Sequence, residues 1–221
     1  KRKKGERMKN LTIIIFIGLL FIFPLSSKES TAFESTYQPS ESGNIYIKDA
    51  KIFTGTGSKI EKGNILISSN KIKAIGEGVM QPADARVIDA NGKWVTPGII
   101  DIHSHMGVYP APNLRSSSDG NESTSPVTAH VWAEHSVWTQ DPQMPLALKG
   151  GITTFHVLPG SANLIGGRGV TLKNVWSRTV QGMKFPGAPY TIKMACGENP
   201  KRVYGGRGTE PSTRMGNVAG Y

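Results

Sequence analysis

The chain has 221 residues and a formal net charge of +10, with 38% hydrophobic and 19% charged residues. This composition is typical of a globular protein and excludes a largely disordered chain. Half of the excess charge lies in residues 1–10, and no basic cluster interleaved with aromatic residues follows, so we predict no nucleic-acid partner. A single cysteine, Cys196, excludes an intrachain disulfide.

Residues 1–27 are predicted to be an export signal. Basic residues precede an apolar run, Leu11–Phe23, and Pro24 with small polar residues follows it, which is the secretory pattern. A helix over that run is about 20 Å long, shorter than the roughly 30 Å hydrocarbon core of a bilayer. We therefore expect no stable membrane span in the mature form and an exported protein, periplasmic or extracellular, with Met8 as its initiator.

The chain then divides into a polar linker and a β-domain. Residues 28–43 are rich in Ser, Glu and Thr, which indicates a linker. Residues 44–97 alternate apolar and polar positions around two turn signals, Ser69-Asn70 and Asn91-Gly92. Because such dipeptides favour hairpins, we predict a small antiparallel β-sandwich.

Residues 98–221 predict an α/β architecture. The run "GIIDIHSHM" is a continuous apolar strand of the kind buried on both faces of a parallel sheet. The stretches "TAHVWAEHSVW" and "PQMPLALKGG" are predicted to be helical, and "ITTFHVLPG" and "APYTIKMACGENP" to be strands. Residues 160–169 are predicted to be a glycine-rich loop. The order of strand, helix and strand favours βα units in a parallel sheet or barrel.

Two histidines at the end of the first of these strands are the strongest chemical signal. His103 and His105 are two residues apart, so in an extended strand their side chains project from one face. Zinc binds neutral imidazole nitrogens and takes four ligands, and barrel enzymes place their chemistry at strand C-termini. The pair thus indicates half of a zinc site, and histidines hydrogen-bonded to loop carbonyls are the alternative.

The segment "VTPGIIDIHSHM" resembles the motif that opens the catalytic barrel of the amidohydrolase superfamily, and the β-domain upstream lies where that family keeps its β-sandwich. The later stretches "GGITTFHVLPGSANLIGGRG" and "KMACGENPKRVYG" are similar to the imidazolonepropionase-like and prolidase-like branch. The resemblance implies that residues 98–221 form the N-terminal part of a (β/α)8 TIM barrel. It also implies hydrolysis of an amide or cyclic amidine by a metal-activated water, with His103 and His105 holding the metal.

The resemblance suggests two further residues near the metal. Some branches place a metal-bridging carboxylate at the end of the third strand, where Glu198 stands, and a solvated loop glutamate is the alternative. Others use a carbamylated lysine on the next strand, and Lys193 fits this only if the strand count shifts by one. Asp101 shares the strand parity of His103 and is expected to support the site without being a ligand.

The remaining polar candidates are weaker. His156 is expected to be a packed core histidine. His130 and His135 are five residues apart on a predicted helix and are expected to be non-ligands. Asn163, in the glycine-rich loop, is a candidate substrate contact. No residue is assigned as catalytic.

A complete (β/α)8 barrel needs about 250 residues, and Gly98 to Tyr221 is about half of that. We therefore expect the chain to be the first part of a longer enzyme and to be inactive alone. The full enzyme is expected to hold one or two divalent ions, and zinc is the expected metal. Its expected partners are a small amide-like substrate and, in a homo-oligomer, a second copy of the protein. Two alternatives stay open, namely a cyclic amidase of the hydantoinase or dihydroorotase type and a non-catalytic secreted binding domain.

Overall fold

A computed structural model describes residues 32–221. The predicted export signal lies outside these residues. Among those described, no helix has the length and apolar character needed to cross a membrane.

The first sheet is built around strand β1. Its five strands are β1 (Ile45–Phe53), β2 (Lys59–Ser68), β3 (Lys71–Gly76), β4 (Arg86–Asp89) and β5 (Trp94–Val95). Strands β1, β2 and β3 are antiparallel neighbours. Ser69 and Asn70 join β2 to β3 with φ angles of 50° and 60°, as the hairpin signal predicted.

The prediction of an antiparallel sandwich is wrong in two respects. Strands β4 and β5 both pair with β1 in parallel, so the Asn91-Gly92 turn joins two successive stretches beside one strand and is not a hairpin. The described residues also form a single mixed sheet here, with a small core. That core comprises Ala50, Ile52, Ile65 and Ala90. Asn91 and Gly92 still adopt positive φ angles, so the predicted turn is present. The predicted antiparallel pairing of the strands on either side of it is not.

The second sheet confirms the mixed α/β fold. Its strands are β6 (Ile99–Ser104), β7 (Ile152–Val157), β8 (Ile165–Lys173) and β9 (Thr191–Met194), hydrogen-bonded in that order. Strands β6 and β7 are parallel, as predicted. Strand β8 is antiparallel to both of its neighbours, β7 and β9.

Two local predictions in this region are wrong. The glycine-rich stretch is a loop only up to Leu164, after which it forms most of β8. The first predicted helix is a single 3-10 turn, Ala133–His135, because Val127 and Trp132 make isolated β-bridges to β8. The described helices are α1 (Gln143–Lys149), which was predicted, α2 (Glu198–Gly205) and α3 (Arg214–Ala219).

The core of the second sheet lies on β7 and β8. Its buried members are Val108, Ala133, Met144, Phe155, Val157, Val170, Leu172 and Met183. Strand β6, predicted to be buried on both faces, exposes Ile99, Ile100 and Ile102 by 52%, 61% and 77%. The reason is its position at the edge of the sheet, where the described residues cover neither its free edge nor these side chains.

The predicted linker is only partly a linker. Residues 32–43 have no regular secondary structure. Phe33 and Ser35, however, hydrogen-bond to Glu134 and Lys184 beside the second sheet. Part of this segment is therefore an ordered element of the fold.

Candidate metal centre

His103 and His105 lie at the C-terminal end of β6, where the sequence placed them. Their ring centroids are 5.3 Å apart and the ring planes are nearly perpendicular. Asp101 accepts a hydrogen bond from the backbone N–H of His103 at 3.1 Å, which supports the turn of the chain at this point. The two imidazoles thus lie side by side at the strand end in a T-shaped arrangement.

The ring of His105 is held by a backbone carbonyl. Its Nδ1 lies 2.9 Å from the carbonyl oxygen of Leu158, the residue that follows β7. Because a carbonyl only accepts hydrogen bonds, Nδ1 carries the proton and Nε2 has a free lone pair. A histidine that binds metal through one nitrogen usually donates from the other in this way.

Lys193 of β9 is the second neighbour of the histidine pair. Its Nζ lies 3.2 Å from Nε2 of His103. In a flat sheet, three strand spacings would separate β6 from β9 by about 14 Å. The contact therefore shows that the sheet curls and that β6 and β9 face each other across its concave side, as in half of a barrel.

Charge and burial favour the neutral imidazole of His103. The charge of Lys193, followed by burial and by His105, lowers the pKa of His103, and Asp101 opposes the shift. Burial lowers the pKa of Lys193. Neutral imidazole is the form that binds metal. A metal ion held by Nε2 of His103 would compete with Lys193 for the lone pair of that nitrogen.

His156 lies on the same concave face, one strand along. Its Nδ1 is 2.9 Å from the Thr171 hydroxyl and its Nε2 is 2.7 Å from the Thr191 hydroxyl. Burial, followed by the charge of His103, lowers its pKa. A side chain on Gly169 would lie 2.8 Å from this Nε2, so the glycine lets β7 and β9 touch across β8. Both ring nitrogens already have partners, which agrees with a packed histidine.

Three comparisons with known proteins bear on this geometry. Over 71% of its length, the chain is 39% identical to the amidohydrolase tasK of Hapsidospora irregularis, of which it spans 16%. Over 63 residues, 28% of this chain and 15% of the relative, it is 43% identical to the dihydroorotase of Geotalea daltonii. The structure of an amidohydrolase from Thermotoga maritima MSB8 matches with a TM-score of 0.72 at 43% identity, over 79% of this chain and 45% of that one.

These similarities support the amidohydrolase superfamily as the family of this chain. No family model matches it. The chain spans about a sixth of the length of these curated relatives and less than half of the solved amidohydrolase.

The residues present fit part of a zinc site. The two imidazoles supply two of the four ligands that zinc takes. Glu198, the third predicted ligand, is exposed at the start of α2. Within residues 32–221, no three His, Cys, Asp or Glu side chains converge closely enough to hold a metal ion. The described part of the chain thus brings together His103 and His105 but not Glu198.

The structure places Asn163 inside the loop architecture. It is 1% exposed, and its two amide N–H groups face three acceptors, namely the carbonyls of Glu122 and Ser125 and the Thr128 hydroxyl. Its amide oxygen accepts from Asn121. These hydrogen bonds use both amide N–H groups and tie Asn163 to the loops around it.

A network that the sequence did not reveal joins these loops to the histidine pair. The Tyr109 ring packs edge-on against His105, with centroids 5.7 Å apart. Its hydroxyl donates to Asn121 Oδ1 at 2.8 Å, and Asn121 donates to the Gly160 carbonyl at 3.0 Å. The same loops border a cavity of about 370 Å³ lined by residues that include Trp132. The network therefore links the loop after β6 to the loop after β7.

Gly160→Ala is expected to destabilise this network. The new Cβ would overlap Asn121 Oδ1 and lie 2.6 Å from the Tyr109 hydroxyl oxygen. Overpacking of this kind costs about 1–3 kcal/mol. Urea unfolding measures the loss, with Gly78→Ala, whose added methyl meets open space, as the matched control. Equal stabilities of the two variants would show that the loops rearrange at no cost and that the network is not tightly packed.

Proposed function

We propose that this chain supplies the first part of the catalytic barrel of a metal-dependent hydrolase that acts on C–N bonds other than ordinary peptide bonds. One observation carries the proposal. His103 and His105 stand together at the C-terminal end of a parallel strand, and the Leu158 carbonyl holds His105 in the tautomer that leaves Nε2 free. The names of the amidohydrolase and dihydroorotase relatives support the same chemistry.

Each residue of the centre has a separate part in this proposal. A bound zinc ion would supply a water with a pKa near 7 and polarise the scissile carbonyl. His105 offers its Nε2 in a fixed orientation. His103 is kept neutral beside Lys193, whose ammonium group adds a positive field suited to a substrate carboxylate or a developing negative charge on oxygen. Asp101 fixes the backbone of His103 and so the direction of its ring.

Two observations, one from the sequence and one from a relative, bear on the substrate class. The later sequence stretches favour an acyclic amide or a cyclic amidine, as in the imidazolonepropionase-like and prolidase-like branch. The 63-residue similarity to a dihydroorotase favours a cyclic amide. We place the enzyme outside the cytoplasm because of the predicted export signal, with one or two divalent ions.

Removal of the metal tests the proposal. The full-length protein containing this chain is expected to retain zinc through gel filtration, to lose hydrolysis when a chelator removes the zinc, and to regain it on addition of zinc. The substrate panel comprises an N-acyl amino acid, a dipeptide ending in proline, hydantoin and dihydroorotate. Preference for the last two would select the cyclic amidase. Absence of both zinc and turnover would sink the proposal and favour a secreted binding domain.

A further inference from the structure

The backbone of Phe33 completes a buried ion pair on the second sheet. Lys184 Nζ lies 2.7 Å from Glu134 Oε2, and the two side chains are only 8% and 2% exposed. The Phe33 N–H donates to Glu134 Oε1 at 3.3 Å, and the Phe33 carbonyl accepts from Lys184 Nζ. One residue of the N-terminal segment therefore contacts both members of the pair.

Every donor of the Lys184 ammonium group has a partner. Its three donors go to Glu134, to the Tyr190 hydroxyl and to the Phe33 carbonyl. Tyr190 in turn donates to Glu134 Oε2 at 3.1 Å, and His135 Nε2 lies 3.6 Å from Glu134 Oε1. Without Phe33, one buried ammonium proton would lose its protein acceptor, a costly state in a low-dielectric site.

The residues that follow Phe33 continue the contact with the second sheet. Ser35 Oγ donates to the Lys184 carbonyl at 2.7 Å, and the Thr36 N–H donates to the Gln181 carbonyl at 3.0 Å. Lys173 Nζ lies 5.1 Å from the centre of the Tyr37 ring. The main chain supplies three of these hydrogen-bonding groups, namely the Phe33 N–H, the Phe33 carbonyl and the Thr36 N–H, so backbone groups make most of the hydrogen bonds between the segment and this surface.

We propose that the surface formed by Glu134, Lys184 and Tyr190 is a docking site for a peptide main chain, and that its resident ligand is the chain's own segment 33–37. The segment follows the predicted end of the export signal, residue 27, by only a few residues and leads into β1. N-terminal processing must then stop before Phe33, and the mature protein keeps the segment.

The N-terminus of the exported protein tests the processing part of the proposal. Mass spectrometry is expected to find either an unprocessed chain or a first residue before Phe33. A mature chain that begins after Phe33 would overturn the proposal. This measurement is independent of the proposed hydrolase activity.

Phe33→Pro tests the docking contact in the full chain, since proline lacks the backbone N–H that donates a hydrogen bond to Glu134. Phe33→Ala is the matched control, because it removes the ring and keeps the amide. The proline variant is expected to be cut by chymotrypsin at Tyr37 at least about tenfold faster than the alanine variant, in line with a hydrogen bond to a charged group. Equal cleavage of the two would overturn the proposal.

A fluorescein-labelled peptide of residues 32–43 tests the site directly. It is expected to bind the Phe33→Pro chain, whose own segment is displaced, and at least about tenfold more weakly when Lys184→Met is added. Absence of binding, or binding that ignores Lys184→Met while that variant remains folded by circular dichroism, would contradict the proposal.

Discussion

Replacement of both His103 and His105 by alanine is expected to strip zinc from the full-length protein and to lower hydrolysis by more than about 100-fold. Loss of one outer-shell partner of a metal ligand already costs about 10–100-fold in affinity or activity, and this variant removes two proposed ligands. Metal analysis after gel filtration, together with turnover, measures the effect. The fold is expected to persist, because His103 is exposed and the core lies on β7 and β8.

His130→Ala is the matched control for this variant, since it removes an exposed histidine away from the strand end. It is expected to keep both zinc and turnover. If the double variant retained its full zinc content, the ligands would lie elsewhere and the role assigned to the pair would be wrong.

Lys184→Met is expected to lower the free energy of unfolding by about 3–5 kcal/mol, the usual cost of leaving one member of a buried ion pair without its partner. Glu134 would remain as a carboxylate with a 2% exposed side chain beside an apolar neighbour. For a domain of this size, the loss corresponds to a fall in melting temperature of about 6–20 °C. Urea and thermal unfolding measure it.

Adding Glu134→Gln to Lys184→Met is expected to recover most of this loss, because the uncompensated charge disappears. Lys62→Met is the control, since that lysine is 81% exposed and lies 3.5 Å from Asp49; its effect is expected to stay below about 1 kcal/mol. A single variant as stable as this control would show that the pair contributes little.

Alkaline pH provides a second readout of the same pair. Burial would lower the pKa of Lys184, but hydrogen bonds with Glu134 and Tyr190 outweigh it and raise the pKa above 10.5. The folded state therefore holds this proton more tightly than the unfolded state does. The stabilisation is complete below pH 10.5 and disappears as the pH rises through the folded-state pKa, a decline that the double variant lacks.

Sequence patterns predicted the strands whose signal lies in their own residues. Strands β6 and β7 were predicted because each is an apolar run that turn residues follow along the chain. The first part of strand β8, residues 165–169, was assigned as a loop, since glycine disfavours strands. The structure shows why glycine is needed there, because a side chain on Gly167 would lie 2.5 Å from Val131. That requirement comes from a chain segment more than thirty residues away, which a local pattern does not contain.

The candidate site divides in the same way. Strand periodicity alone predicts that His103 and His105 share a face. The approach of Lys193 depends on the curl of the whole sheet, and the tautomer of His105 depends on the Leu158 carbonyl, so neither follows from a motif. The sequence signal for this contact was a lysine, Lys193, inside an apolar strand. That signal did not show that its partner is His103.

The pairing of β6 with β7 also has a consequence for the order in which the protein folds. Strands β7 and β8 pair between residues 157 and 170, whereas β6 reaches β7 only by closing the loop from residue 99 to residue 152. A loop about four times longer costs about 1.2 kcal/mol more to close, so β6 is expected to dock late. The Leu158 carbonyl meets His105 only after that step. A nascent chain would therefore pair β7 with β8 before His105 is positioned to bind a metal ion.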